Sequence, residues 1–189
     1  MTATRARTPS QRYVAFLRAI NVGGHTVKMD RLRAEFEALR FRDVSTFIAS
    51  GNVLFSTPSL DCAELESRIE RRLEKSLGFP VATFLRTPEE LQALVRDEPF
   101  GDRDAAATLW VGFVKHAVAA DARDRLLALR SELDEFHVRG REAFWLRRER
   151  SMAQLVTGAR IDRALGSATT FRNVTTVRKL TIMTAGGAA

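Results

Sequence analysis

The chain has 189 residues and a formal net charge of +7. Its composition is 45% hydrophobic and 28% charged, which is typical of a globular protein, and no apolar run approaches the roughly 20 residues that cross a bilayer. No secretory signal pattern is visible, and the single cysteine, Cys62, cannot form an internal disulfide. We therefore expect a cytoplasmic protein with no membrane partner.

The first half of the chain predicts alternating strands and helices after a disordered tail at 1–11. Leu65, Ile69 and Leu73 recur at helical spacing, and Gly78 is a helix-terminating residue. The predicted elements are a strand at 13–20, a helix at 29–39, strands at 44–49 and 53–56, a helix from about 62 to 77, a strand at 81–86 and a helix to about 97. The first six elements have the order β-α-β-β-α-β, which is ferredoxin-like.

The second half partly repeats this order after a polar break. The pattern predicts a strand at 109–115, a helix at 121–133, a hairpin around Gly140 and a helical segment at 170–183. The predicted fold class is therefore α+β with two ferredoxin-like β-α-β-β units, the second incomplete and followed by the helical segment. The predicted domains are unit one at 12–100 and unit two at 101–184.

Two loops of unit one are expected to meet at one end of its sheet. In a ferredoxin-like unit the first two strands run parallel, so the loop at 21–28 and the turn at 50–52 should be neighbours. Lys28, flexible glycines and a helix N-terminus suit an anion such as a phosphate. The candidate ligand-binding residues from this cluster are Asn21, Gly23, Gly24, Lys28, Ser50, Gly51 and Asn52.

The same residues also have a purely structural interpretation. Neither a P-loop nor a dinucleotide-binding glycine motif is present. Gly23 and Gly24 could simply form a tight connection between strand and helix, and Gly51 could simply form a good hairpin turn.

The charge surplus lies in the last third of the chain. Residues 1–135 carry 20 Lys and Arg against 20 Asp and Glu, whereas residues 136–189 carry 10 against 3. This asymmetry favours an anionic partner, including nucleic acid, and arginines flank Trp145 as they do in single-strand binders. The alternatives are that Trp145 is a core residue and that an excess of 26 Arg over 4 Lys reflects a GC-rich genome.

The sequence leaves open whether the protein is an enzyme. It contains no nucleophile–base pair and no paired carboxylates at a motif spacing, and its histidines and cysteine lack metal-ligand spacing. We therefore expect neither a metal nor a cofactor. Only His25 and Lys28 supply titratable groups to the loop cluster, so an enzyme would use His25 as acid or base.

Several strings of the chain resemble a bacterial family of unknown function, DUF1697, over residues 12–184. The strings are YVAFLRAINVGG at 13–24, VKM at 27–29, FIASGNVLF at 47–55, FLRT at 84–87, GR at 140–141 and TFRNVTTVRKL at 170–180. The resemblance implies an α+β fold with ferredoxin-like units and implies no reaction. Besides the loop cluster, it emphasises Arg86, Arg172 and Asn173, of which Arg172 and Asn173 join the candidate ligand-binding residues.

The chain departs from the family pattern at two places. Relatives often have a Ser-Lys pair where this chain has Ser151 and Met152, and an aromatic residue where it has Val174. If that lysine were catalytic in relatives, this chain would lack it. The leading hypothesis is a binding module for an anionic or phosphate-bearing ligand, of which a nucleotide and nucleic acid are two examples. The alternatives are a small-molecule enzyme that uses the same loops and a protein-interaction scaffold.

Overall fold

The computed structural model describes residues 10–21, 26–58, 61–101, 106–148 and 156–185. The elements there are β1 (Gln11–Leu17), α1 (Met29–Ala38), β2 (Arg42–Phe47), β3 (Asn52–Thr57), α2 (Cys62–Leu77), β4 (Thr83–Arg86), α3 (Pro88–Arg96), β5 (Thr108–Phe113), α4 (Ala120–Leu127), β6 (Asp134–Arg139), β7 (Glu142–Arg147), α5 (Gly158–Leu165), β8 (Thr170–Asn173) and α6 (Val174–Ala185). The α+β class is confirmed. Most of the predicted tail lies outside the described residues, and Gln11 already belongs to β1.

Contacts divide the chain between Pro88 and Glu89, about a dozen residues before the predicted boundary. Most of α3 therefore belongs to the second unit. Two polar contacts tie this region to the second unit's hairpin: Glu90 forms an ion pair with Arg141, and the carbonyl of Asp97 accepts a hydrogen bond of 2.6 Å from Arg139.

The first unit has one antiparallel sheet in the strand order β2-β3-β1-β4. β1 lies inside this sheet, and its residues from Tyr13 to Leu17 are buried on both faces, which explains their continuous apolar run. The helices α1 and α2 cover one face with the apolar stripes that the sequence predicts. Buried members of this core include Leu32, Phe36, Phe55, Leu65, Ile69 and Leu73.

Side chains of α2 protect the outer edge of this sheet. β4 is an edge strand, and its outward N–H groups need partners. Glu70 Oε1 accepts a hydrogen bond of 2.8 Å from Thr83 N, and Glu66 Oε1 accepts one of 2.9 Å from Leu85 N. The two glutamates lie one helical turn apart and therefore meet alternate residues of the strand.

The second unit is complete, so the prediction of an incomplete unit is wrong. Its strands follow the order β6-β7-β5-β8, all antiparallel, and its elements repeat the β-α-β-β-α-β order. Residues 170–173 pair with β5 instead of forming the predicted helix. The three-residue spacing of the apolar residues indicated a helix there, but backbone pairing with β5 determines the conformation. The predicted helix begins only at Val174.

α4 and α5 pack on one face of the second sheet around a core that includes Leu126, Phe136, Ala143, Ile161 and Leu165. The strand order of both units supports the ferredoxin-like assignment, which stays a prediction. Among the described residues, no helix is both long enough and apolar enough to span a bilayer.

Candidate functional site

The loop after β1 and the turn after β2 meet at one end of the first sheet, as the sequence predicts. Asn21 Nδ2 donates a hydrogen bond of 2.7 Å to the carbonyl of Ala49, 28 residues away. Asn21 Oδ1 accepts one of 2.7 Å from Val27 N. One side chain therefore ties together the two ends of the β1–α1 loop and the β2–β3 turn. Gly23, Gly24 and His25 lie outside the described residues, so their predicted roles stay predictions.

The β2–β3 turn is held by its own polar side chains. Asn52 is fully buried, and its Nδ2 donates to the carbonyl of Phe47 at 3.0 Å and to Ser50 Oγ at 2.9 Å. Asn52 therefore stabilises the turn, and Ser50 is the half-buried residue of this pair. Side-chain amides that bond to nearby main-chain groups commonly replace secondary-structure bonds in this way.

Gly51 is required by this turn for two reasons. Its φ of +75° is one that only glycine adopts at little cost. A Cβ at this position would lie 2.9 Å from the Cβ of Ile20, closer than carbon atoms pack. In addition, its carbonyl accepts a hydrogen bond of 2.8 Å from Leu17 N, which connects the turn to the end of β1.

Lys28 is the exposed cation of this cluster. It occupies the N-cap position of α1 in an extended conformation, and its side chain makes no capping hydrogen bond. A serine, threonine, aspartate or asparagine is favoured at this position, and a cation there opposes the positive end of the helix dipole. The placement of Lys28 is therefore unfavourable for the stability of α1.

Three of the six non-glycine residues with positive φ in the described part of the chain lie in or next to the same loops. Ala19, Asn21 and Ile48 have φ values of +62°, +57° and +51°. Asparagine tolerates this left-handed region, whereas it is unfavourable for alanine and still more so for the β-branched isoleucine. Ile48 is also 50% exposed, so burial offsets little of its strain. The sequence does not indicate strain at Ala19 or Ile48, because both are ordinary apolar residues in predicted strands.

Arg172 and Asn173, the candidates from the end of the chain, lie in β8 of the second unit. Arg172 is buried, and its Nη1 donates to Thr170 Oγ1 at 2.9 Å and to the carbonyl of Phe171 at 2.8 Å. Burial lowers the pKa of Arg172 to about 10. Asn173 Oδ1 accepts a hydrogen bond of 2.9 Å from Thr175 N at the start of α6. Both side chains therefore have structural contacts within the second unit.

The tryptophan flanked by arginines is partly buried and packs against the core of the second unit. Trp145 stacks on Phe136, with 6.2 Å between ring centroids, and meets Phe171 edge to face. Its indole N–H donates a hydrogen bond of 2.7 Å to Asp134 Oδ1. The interpretation of Trp145 as a core residue therefore fits better than that of a platform for nucleic-acid bases.

A concave site that the sequence analysis missed lies between α4 and α5 of the second unit. It is an open depression with a volume of about 310 Å³ and is lined by Arg125, Leu129, Arg160, Arg163 and Ala164. Only the packing of α4 against α5 brings these residues together. The sequence offers one indication of this site: Arg160 and Arg163 are three positions apart on α5, and this spacing places them on one face of the helix.

Metal-binding groups are not assembled in the described part of the chain, where no cluster of three or more His, Cys, Asp or Glu residues could hold an ion. Cys62 is half-buried at the first position of α2.

Ser151 and Met152 lie outside the described residues, so the departure from the family pattern there has no structural account. Val174, the other departure, is buried at the start of α6.

The chain belongs to the family described as protein of unknown function (DUF1697), whose model matches residues 10–144, well over half of the sequence. The match confirms the resemblance over residues 12–144, whereas the string at 170–180 lies beyond the matched residues. Among solved structures, the chain is similar to the conserved bacterial protein SP0830 from Streptococcus pneumoniae, with a TM-score of 0.74 and 23% identity over 93% of this chain and 99% of that one. This similarity shows a shared fold. No curated protein matches the sequence.

Proposed function

We propose that this protein is a binding module for an anionic, phosphate-bearing ligand, held where the β1–α1 loop meets the β2–β3 turn. The observation that carries the proposal is the clamp formed by Asn21, which bonds to Ala49 and Val27 and so links the β2–β3 turn to both ends of the β1–α1 loop. A phosphate site requires N–H groups and a cation in fixed positions, because flexible groups lose entropy when they bind.

The retained backbone strain supports a functional use of these loops. A left-handed non-glycine residue costs on the order of 1–3 kcal/mol, and such residues cluster at ligand sites and switch regions. Ala19, Asn21 and Ile48 contribute three of them at this one end of the sheet. Because Ile48 is half exposed, packing of its own side chain is a weak explanation for its conformation.

The cation at the start of α1 supports an anionic ligand in particular. The first N–H groups of a helix lack intrahelical partners and carry the positive end of the dipole. Asp30, the acidic residue of this turn, forms an ion pair with Arg33 at 3.1 Å, which partly offsets its repulsion of an anion. A bound phosphate would accept bonds from these N–H groups and also neutralise Lys28.

The roles of the remaining candidates follow from their contacts. Lys28 and the hydroxyl of Ser50 would contact the ligand, as would the main chain of the glycines that the sequence analysis identified at 23 and 24. Asn21 and Asn52 are positioning residues, because their amide groups already hold main-chain atoms.

The test is the thermal unfolding of the full chain with added inorganic phosphate, pyrophosphate or a nucleoside diphosphate at constant ionic strength. Binding at about 100 times Kd stabilises a protein by about 2.7 kcal/mol, which raises Tm by roughly 5–10 °C at this chain length. We expect such a rise for the wild type and a clearly smaller rise for Lys28→Ser. Lys75→Ser is the matched control, because it removes the same charge from the last turn of α2.

Two outcomes would contradict the proposal. One is that none of the three anions raises the melting temperature of the wild type. The other is that Lys28→Ser and Lys75→Ser show the same rise as the wild type, since this would place any anion site away from the N-terminus of α1.

A further inference from the structure

We infer that the pocket between α4 and α5 is a second, separate site that binds a small organic phosphate. Arg125, Arg160 and Arg163 line the pocket together with the apolar side chains of Leu129 and Ala164. Guanidinium groups bind phosphate oxygens in a bidentate manner, and the two apolar residues offer a surface for the organic part of such a ligand.

Contacts around the pocket orient one arginine and leave another available. Arg125 Nε donates a hydrogen bond of 2.9 Å to the carbonyl of Ala164, and its Nη1 lies 2.6 Å from Asp121 Oδ2. Arg125 therefore bridges α4 and α5 in a fixed orientation. Arg163 is exposed and makes no hydrogen bond or ion pair with any other residue that the structure describes.

The position of Arg160 is unfavourable for its own helix. It lies in the first turn of α5, which contains no acidic residue, so its cation opposes the positive end of the helix dipole. A bound phosphate would be favourable at this position, because it would face both the N-terminal turn and the guanidinium group. Arg160 and Arg163 are three positions apart and can therefore reach one ligand from the same helix face.

The acidic residues nearby do not cancel the positive charge of the pocket. Asp121 is paired with Arg125, and Asp124 lies 3.5 Å from Arg123. Asp162, on α5, accepts a hydrogen bond of 3.0 Å from Thr169 N at the start of the β8 segment. Each of these carboxylates thus has its own partner, and the charge of Arg163, which pairs with no other residue that the structure describes, remains as the local surplus.

The size and lining of the pocket favour a small molecule over a nucleic-acid strand. A volume of about 310 Å³ lies at the lower end of the range for small-molecule pockets. The pocket also has no aromatic residue among its lining side chains, whereas single-strand binders stack bases on such rings. The ligand class is therefore a phosphate monoester or diphosphate with a compact apolar group.

The test is isothermal titration calorimetry of the full chain with phenyl phosphate, inorganic phosphate and pyrophosphate. We expect phenyl phosphate to bind the wild type more tightly than inorganic phosphate, because only the former contacts Leu129 and Ala164. The double variant Arg160→Gln/Arg163→Gln should weaken this binding at least tenfold. The matched control is Arg123→Gln/Arg130→Gln, which removes two exposed charges close to α4 that do not line the pocket.

The outcomes separate this site from the one at the start of α1. Binding of phenyl phosphate that survives Lys28→Ser and is lost in Arg160→Gln/Arg163→Gln supports the inference even if the proposed function fails. Equal weakening in both arginine double variants would overturn it, because the effect would then be one of general charge. Salt-sensitive binding of a duplex oligonucleotide with no binding of phenyl phosphate would also overturn it in favour of a nucleic-acid surface.

Discussion

The two units share one order of elements and strands, yet they connect the loop after the first strand to the neighbouring hairpin by different means. In the second unit the connection is made by the main chain: Val118 N donates a hydrogen bond of 2.9 Å to the carbonyl of Gly140. In the first unit, as far as the structure describes it, a main-chain bond joins Leu17 at the end of β1 to Gly51, and the loop itself is connected by the side chain of Asn21, which bonds to Ala49. A main-chain bond forms with almost any sequence, whereas the side-chain clamp depends on a single residue type.

The hairpin glycines differ in the same way. Gly51 and Gly140 both have positive φ values, +75° and +56°. A Cβ at Gly51 would meet Ile20 at 2.9 Å, whereas at Gly140 the nearest atom is a flexible Glu142 oxygen 3.8 Å away. The first hairpin is thus packed tightly against its loop, and the second is open. Tight packing and a specific clamp together indicate that the first hairpin is the more rigid of the two.

Alanine substitutions at the two glycines should give the largest difference between the units. Gly140→Ala adds only backbone strain, about 1 kcal/mol, whereas Gly51→Ala adds the same strain and a clash in a packed site, for about 3 kcal/mol in total. Urea unfolding measures both values. Equal costs for the two variants would mean that the first hairpin can relax as freely as the second, which would end the contrast in rigidity.

Removal of the donor at Asn21 should have the next largest effect. Asn21→Asp keeps the acceptor for Val27 N but loses the donor to Ala49 and places a carboxylate against its carbonyl, so we expect a loss of about 1–3 kcal/mol. Asn173→Asp is the matched control in the second unit. Its Oδ1 atom accepts the hydrogen bond from Thr175 N, which an aspartate can also accept, and a negative charge at the start of α6 is favourable for the helix dipole.

The control should change the free energy of unfolding by less than about 0.5 kcal/mol. If Asn21→Asp were equally mild, the loop would be held by other contacts, and the clamp could not serve as the fixed frame of a ligand site. Chemical denaturation of both variants at one pH provides the comparison.

The smallest change in the free energy of unfolding is expected at the start of α1, where the substitution should stabilise the protein. Lys28→Ser supplies a capping hydroxyl and removes an unfavourable cation, so it should stabilise the protein by about 0.5–1 kcal/mol. Lys75→Ser removes a favourable cation from the last turn of α2 and should destabilise it by about 0.3–1 kcal/mol. A Lys28→Ser variant that unfolds more easily than the wild type would show that Lys28 has a structural role.

The sequence alone determined the features that depend on neighbouring residues. The capping side chain of Asp61, which accepts from Glu64 N at 3.0 Å, and the left-handed Gly78 that ends α2 were both readable from local patterns. The meeting of the two loops of the first unit was also predictable, because strand order fixes which connections share an end of the sheet.

The tertiary structure decided what depends on residues far apart in the chain. Residues 170–173 form a strand because β5 offers an open edge to pair with, an option that no local pattern reveals. Arg172 is buried in that strand, so the sequence could identify its charge but not its inaccessibility to a ligand. The arginine pocket joins Arg125 to residues about 35 positions later, and only the packing of α4 on α5 assembles it.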